Sequence, residues 1–328
     1  MRTRSTWLAC GVLGVALIGL FVASLCAGRV WTPWSVWISG GADPRWAIVY
    51  GLRLPRTILA LLVGGALGLS GAALQGYTRN PLADPGALGV SSAAAMGAVL
   101  TLYLGTAAQA SWTLPAAAMI GAGLGVAALL ALAGVTSSIV TFILAGFVVQ
   151  TVCTAGISLA LNLAPNPWAV DEIVSWVMGS LADRSVEEVR IAAPGIVVGC
   201  LVMLTQGRAL DALTLGEQGA RSLGVSLTRT RLLLAIGVAL AVGSSVAVTG
   251  VIGFIGLIVP HLLRPWVGSR PGAVLLPSLL GGAVLTLGAD ILVRLTPAAE
   301  EVKLGVATAA LGGPFFLWML VAMRRRLA

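Results

Sequence analysis

Apolar runs about twenty residues long recur along this chain, and the charged residues fall mostly in the gaps between them. Each run is close to the length at which a helix crosses a hydrocarbon core of roughly 30 Å. Only helices and closed barrels can span lipid with every backbone polar group satisfied. The runs are Trp7–Ala27, Thr57–Tyr77, Val90–Gly105, Trp112–Gly134, Ser138–Leu163, Ile191–Gln206, Leu232–Thr249, Val251–Leu263, Ala273–Val293 and Leu304–Met323. The chain is therefore expected to be all-α and polytopic, with about ten transmembrane helices in one domain over residues 1–328. The third and sixth runs are short and the eighth is shorter still, as segments shielded by protein can be. The first follows Arg2 and Arg4 as a leader peptide would. It is long enough to span and lacks a small-residue cleavage site, which points to a retained helix.

Composition supports this class and excludes others. Charged residues are 10% of the chain and hydrophobic residues 58%, against roughly 25% charged in soluble domains. The 42 glycines lie inside apolar runs, where small residues let membrane helices approach closely. Gly64 with Gly68, and Ala117 with Gly121 and Gly125, show the four-residue spacing of such contacts. The net charge of +8 comes from basic residues scattered singly over loops, so no nucleic-acid partner is expected. Cys10, Cys26, Cys153 and Cys200 have no metal-ligand spacing, and His261 is the only histidine, so no metal site and no cofactor are expected. The sole lysine, Lys303, stands between Val302 and Leu304. A P-loop needs its lysine directly after a closing glycine and before Ser or Thr. The chain thus carries no such ATP site and no evident catalytic set, and its energy must come from a partner or an ion gradient.

Lys and Arg placement gives an orientation. With the N-terminus in the cytoplasm, twelve of the 20 basic residues fall inside and eight outside, so both chain ends are expected to be cytoplasmic. Three polar stretches stand apart. Gly28–Arg56 is external, with Trp31, Trp34 and Trp37 spaced for an interfacial helix. Asn166–Arg190 alternates Val170, Ile173, Val174, Val177 and Leu181 with acidic residues, as an external amphipathic segment does. Arg208–Arg231 is the longest polar cytoplasmic stretch.

Three ordered motifs span most of the chain. The first runs from Arg53-Leu-Pro-Arg56 through Ser70-Gly-Ala-Ala-Leu-Gln75 to Arg79-Asn-Pro-Leu-Ala-Asp-Pro-Gly-Ala-Leu-Gly-Val-Ser91. The second is Gly253-Phe-Ile-Gly-Leu-Ile-Val-Pro-His-Leu-Leu-Arg264, and the third joins Leu304-Gly-Val to Leu311-Gly-Gly-Pro-Phe-Phe316. Pro81 and Pro85 bracket a stretch that cannot continue a helix, and Asn80 and Asp84 can bond the freed backbone groups. Pro260 interrupts an apolar run; helix-breaking segments thus fall in both halves, as an internal repeat would place them. Together the motifs resemble the FecCD-type permeases, membrane subunits of ABC importers for ferric siderophores, haem and cobalamin. Gly313, where alanine is common, and Lys303, where proline is, depart from that pattern.

The resemblance implies a homodimer with a translocation path along its two-fold axis, two cytoplasmic ABC ATPases below and a periplasmic substrate-binding protein above. It implies the bacterial inner membrane, and a metal-chelate cargo for which a ferric siderophore is favoured on family breadth, with haem or cobalamin as alternatives. Residues of about 208–231 resemble the ATPase-coupling segment, carried by Leu215, Gly216, Glu217, Ala220, Arg221, Leu223 and Gly224, with Leu213 and Val225 completing an apolar face and Glu217 and Arg221 spaced to pair. Arg53, Arg56 and Arg294 match arginines that bind glutamates of the binding protein, a task for which guanidinium suits. The fifth helix is expected to line the path with Phe142, Val149 and Thr151. The rival from another class is an ion-coupled secondary transporter. It would need ionisable groups within the spans, whereas the centres of the ten runs carry none.

Overall fold

The computed structural model describes residues 2–28, 32–33, 35–39, 43, 45–134, 138–297 and 301–327. The expected interfacial tryptophans Trp31 and Trp34, with the Trp37 side chain, lie outside what is described. Among the described residues the long elements are all helices: α1 (Arg2–Cys26), α2 (Leu54–Thr78), α3 (Val90–Tyr103), α4 (Thr113–Ala133), α5 (Ile139–Asn162), α6 (Pro167–Val177), α7 (Val186–Thr205), α8 (Gly207–Leu213), α9 (Gly216–Ser222), α10 (Leu227–Thr249), α11 (Ile255–Val267), α12 (Pro271–Leu295) and α13 (Leu304–Leu327). Seven are long and apolar enough to cross a bilayer, and α3, α11 and residues 304–319 of α13 add three shorter apolar helices. The ten expected runs each fall on one of these.

One length expectation fails. The sixth span, α7, is not short but 20 residues long, because it starts at Val186 rather than Ile191. Ser185 and Glu188 form a capping box there, the Ser185 amide donating to Glu188 Oε2 at 2.8 Å. This pairing holds a polar first turn in helix that hydropathy alone leaves out.

The bundle is organised on glycine. α2 lies against α12 so closely that a Cβ on Gly64 would sit 2.4 Å from the Gly282 carbonyl, and one on Gly68 2.2 Å from that of Ser278. The expected Gly64/Gly68 spacing is therefore a real helix contact. Gly97 and Gly121 repeat it between α3 and α4, with would-be Cβ distances of 2.2 and 2.3 Å to backbone oxygens. In lipid the gain from such approach is dispersion and weak Cα–H···O bonding rather than water release.

α3 and α11, at 14 and 13 residues, are about 20 Å long and cannot span alone. Each is preceded by chain that is not α-helical and enters from a different end of the bundle, the first carrying a 3-10 turn at Pro85–Leu88. Residues 79–89 leave the end of α2 beside Tyr77. There Asn80 Oδ1 accepts from the Leu82 amide at 3.0 Å and Asp84 Oδ2 from the Gly86 amide at 3.0 Å, as expected of both. Residues 250–254 leave the opposite end, where the Ser180 amide donates to Thr249 O at 2.7 Å. The stretches meet beside the middle of α2: a Cβ on Gly256 would lie 2.9 Å from Asp84 Oδ1 and 3.0 Å from Leu67 O. Irregular backbone at this depth is tolerated because protein, not lipid, surrounds it.

Pro260 lies within α11 rather than ending it. Its missing N–H frees the carbonyl of Gly256 four residues back. Gln75 Nε2 of α2 donates to that oxygen at 3.0 Å, and Gln75 Oε1 accepts from Arg264 Nη2 at 2.6 Å. One glutamine thus joins the first sequence motif to both ends of the second. His261 packs edge-on against Phe315, ring centroids 5.8 Å apart, as a structural histidine.

Candidate functional site

The loops sort onto two ends. The start of α1, the end of α13, α8, α9 and the Tyr77 end of α2 share one, since α1 ends and α13 begins at the other, beside Arg53 and Gly179 respectively. The amphipathic segment also lies as expected at the far end: α6 buries Ile173 and exposes Asp171 and Glu172, with Asn166 Oδ1 capping the Ala169 amide at 2.9 Å.

At the first end, α8 and α9 form two seven-residue helices meeting at Leu215 and Gly216. Gly216 has φ +88°, a conformation that favours glycine and lets the pair turn sharply. The expected apolar face divides in two. Leu213 and Ala220 are buried against the bundle, whereas Leu215 and Leu223 are 67% and 63% exposed. Arg221 and Gly224 are exposed with them. Arg221 reaches Glu217 at 4.0 Å, the expected i,i+4 pair. Glu217 Oε1 also accepts from the Ile139 amide at 3.4 Å, placing a carboxylate at the N-terminus of α5, where unsatisfied N–H groups and the helix dipole favour it.

Beside this link, Arg231 of α10 is buried. Its Nε donates to Tyr77 Oη at 2.8 Å, its Nη1 to Gly134 O at 3.1 Å, and its guanidinium lies 5.7 Å from the Phe142 ring centre. Tyr77 meets the same ring edge-on at 5.5 Å. The expectation that Phe142 and Val149 line a path is corrected. They are 1% and 6% exposed and face the protomer core. Thr151 is on the opposite, exposed face of α5 with Leu144, Phe147, Val152 and Ser158. Its hydroxyl donates to Phe147 O at 2.8 Å, and that of Ser158 to Thr154 O at 3.0 Å. This face is uncharged and carries hydroxyls among apolar groups.

At the far end, Arg53, Arg56 and Arg294 come together, each already holding partners within the chain. Each is under a tenth exposed. Arg53 Nη1 donates to Leu25 O, Cys26 O and Thr32 Oγ1 at 3.0, 2.8 and 2.7 Å. Arg56 holds Asp290 through Nε at 2.9 Å and Nη2 at 2.7 Å, and also Glu301, its Nη1 donating to Oε2 at 3.1 Å. Arg294 pairs with Asp290 and donates to Ser24 O at 2.9 Å. Asp290 is fully buried under both, and Glu301 is the outermost partner, its side chain 30% exposed. A cavity of about 230 Å³ opens over the cluster. No role was expected for Asp290 or Glu301; the spacing Asp290-x-x-x-Arg294 was the available signal.

Among the described residues no group of three or more His, Cys, Asp or Glu can hold a metal ion.

A profile of the FecCD transport family matches residues 16–322. The vitamin B12 import system permease protein BtuC of Klebsiella pneumoniae is 38% identical over 326 residues, covering 99% of this chain and 96% of that protein. The hemin transport system permease protein HmuU of Yersinia pestis is 36% identical over 327 residues, covering 96% of each. A metal-chelate type ABC transporter solved in an inward-facing conformation superposes with TM-score 0.85 at 29% identity, covering 96% of this chain and 99% of that one.

Proposed function

The chain belongs to the FecCD transport family, and from that premise we propose how this permease of the metal-chelate, vitamin B12 and haem type of ABC importer is driven and loaded. Two ATPase subunits bind a homodimer of the chain at α8 and α9, in the cytoplasm, with both termini on that side of a bacterial inner membrane. The observation that carries this reading is the pair of exposed leucines, Leu215 and Leu223, that flank the short helix α9, with Leu213 and Ala220 buried against the bundle. Two large apolar side chains held out from a firm base suit a partner's groove, since such anchors dominate interface energy. The chain lacks a P-loop of its own, so the partner supplies hydrolysis. Glu217 then links that contact to α5, whose exposed hydroxyl-bearing face, Thr151 included, lines the path between protomers. Leu215→Arg with Leu223→Arg tests this: ATPase co-purification should be lost while the permease remains folded, and unchanged co-purification would reject the surface.

The cargo is a large chelate. The vitamin B12 and hemin permeases among its relatives favour a macrocycle, a corrinoid or haem, over the ferric siderophore first expected, and the uncharged face of α5 suits a ligand carrying few charges. Uptake assays with the matched binding protein and cobalamin, haemin or a ferric siderophore decide among them. The binding protein docks at the Arg53–Arg56–Arg294 end. Because those guanidinium groups are already paired, docking carboxylates must share or displace the outermost acceptor, Glu301.

A further inference from the structure

Arg264 is only partly exposed yet has no acidic partner among the described residues. Among the described residues its one hydrogen bond is Nη2 to Gln75 Oε1 at 2.6 Å. Gln75 is itself fixed by the Gly256 carbonyl, so the guanidinium is held in place with most of its donors uncommitted. It lines a cavity of about 400 Å³ between the last turns of α2 and α11 and the start of α12. Arg79 lines the same cavity, and no hydrogen bond or ion pair of its side chain is found among the described residues. Arg79 has φ +53°, and its Nη1 lies 3.9 Å from where a Cβ on Gly216 would stand. Thr214 and Ser269 add hydroxyls, Ala72 and Val274 an apolar inner wall, and no carboxylate faces in. The nearby Asp211 is spent elsewhere, accepting from Arg270 Nε at 2.6 Å and the Gly272 amide at 2.8 Å.

Two guanidinium groups without a counter-ion at the end of membrane-crossing helices form an unbalanced site, because a partly desolvated charge is costly until paired. We propose that this cavity binds a phosphate group, held by Arg264 and Arg79 with Ser269 as a further donor. Guanidinium forks match phosphate oxygens two at a time. Basic pockets between helices at the membrane surface take anionic headgroups, and the apolar inner wall gives a lipid's glycerol and upper acyl carbons a place that free phosphate would leave empty.

The test uses the purified full chain in nanodiscs of phosphatidylcholine, with or without phosphatidylglycerol, or with inorganic phosphate added. Native mass spectrometry reads retained lipid, and thermal unfolding reads protection. The wild type should retain phosphatidylglycerol over phosphatidylcholine by about tenfold, equivalent to roughly 1.4 kcal/mol. Arg264→Gln should remove most of that preference. Arg79→Gln, at an exposed position that threatens folding less, should lower it several-fold, and Arg229→Gln, exposed at the same end but outside the cavity, should leave it unchanged. Protection by phosphatidylglycerol alone identifies a lipid, and equal protection by inorganic phosphate identifies the free ion. Equal retention by wild type and Arg79→Gln, with no protection by phosphate, overturns the assignment. So does an Arg79→Gln variant that loses only ATPase association, for then a partner's carboxylate fills the site.

Discussion

The arginines at the two ends of this bundle are treated in opposite ways. At one end Arg53, Arg56 and Arg294 are buried and held by Asp290, Glu301, the carbonyls of α1 and the hydroxyls of Ser24 and Thr32, with Arg294 Nε left without a hydrogen bond among the described residues. At the other, Arg79 and Arg264 line an open cavity that no carboxylate faces. All five have the same charge and similar distances from a helix end, so charge alone says nothing of their roles. What separates them is how many acceptors the fold supplies. Several acceptors make an arginine a strut between helices, and one or none leaves its donors available to something outside the chain.

The comparison is broken most severely at Asp290. Asp290→Ala strands Arg56 and Arg294 without their shared counter-ion, and removing one member of a buried pair costs about 3–5 kcal/mol. The variant should express poorly or lose several degrees in thermal unfolding; near-normal stability would show that the cluster is not a strut. Next is Gln75→Leu, which leaves the Gly256 carbonyl unsatisfied beside Pro260 and releases Arg264. An orphaned buried acceptor costs about 1–3 kcal/mol, read in the same melt. Glu301→Gln should cost less, about 1 kcal/mol or below, because its side chain is partly exposed and Arg56 keeps Asp290. The same variant should strengthen binding-protein affinity if Glu301 is the group displaced, and unchanged affinity would remove docking from this cluster. Arg79→Gln closes the series, with a stability change within about 0.5 kcal/mol as at other exposed positions. A larger loss would mean that Arg79 too is a strut.

The spans were legible because lipid imposes one length and one polarity on each. The late start assigned to α7 was avoidable: Ser185-Val-Glu-Glu188 is a capping-box sequence, outweighed by a hydropathy reading that rejects Glu and Arg. The inward face of α5 was not legible. Residues 139–162 are apolar almost all round, so no periodicity marks a buried side, and rotation is set by Tyr77 and Arg231, which pack on Phe142 from α2 and α10. The burial of the arginine cluster was equally out of reach, because Arg56 meets Asp290 across 234 residues and Arg294 meets Ser24 across 270. The local geometry of residues 208–231 was more legible. Its short helices are local, and the Gly216 turn and the Glu217–Arg221 spacing are present in the fold.

The central claim is that this permease moves its cargo by ATP turned over in a partner seated on Leu215 and Leu223. Reconstituting the chain in proteoliposomes with its ATPase and binding protein, and following labelled cobalamin, haemin and ferric siderophore, tests it directly. Uptake of one chelate should require ATP and the binding protein, persist when proton and sodium gradients are collapsed, and fall to background with Leu215→Arg and Leu223→Arg together. Uptake that runs without ATP and stops when the ion gradients are collapsed would contradict it.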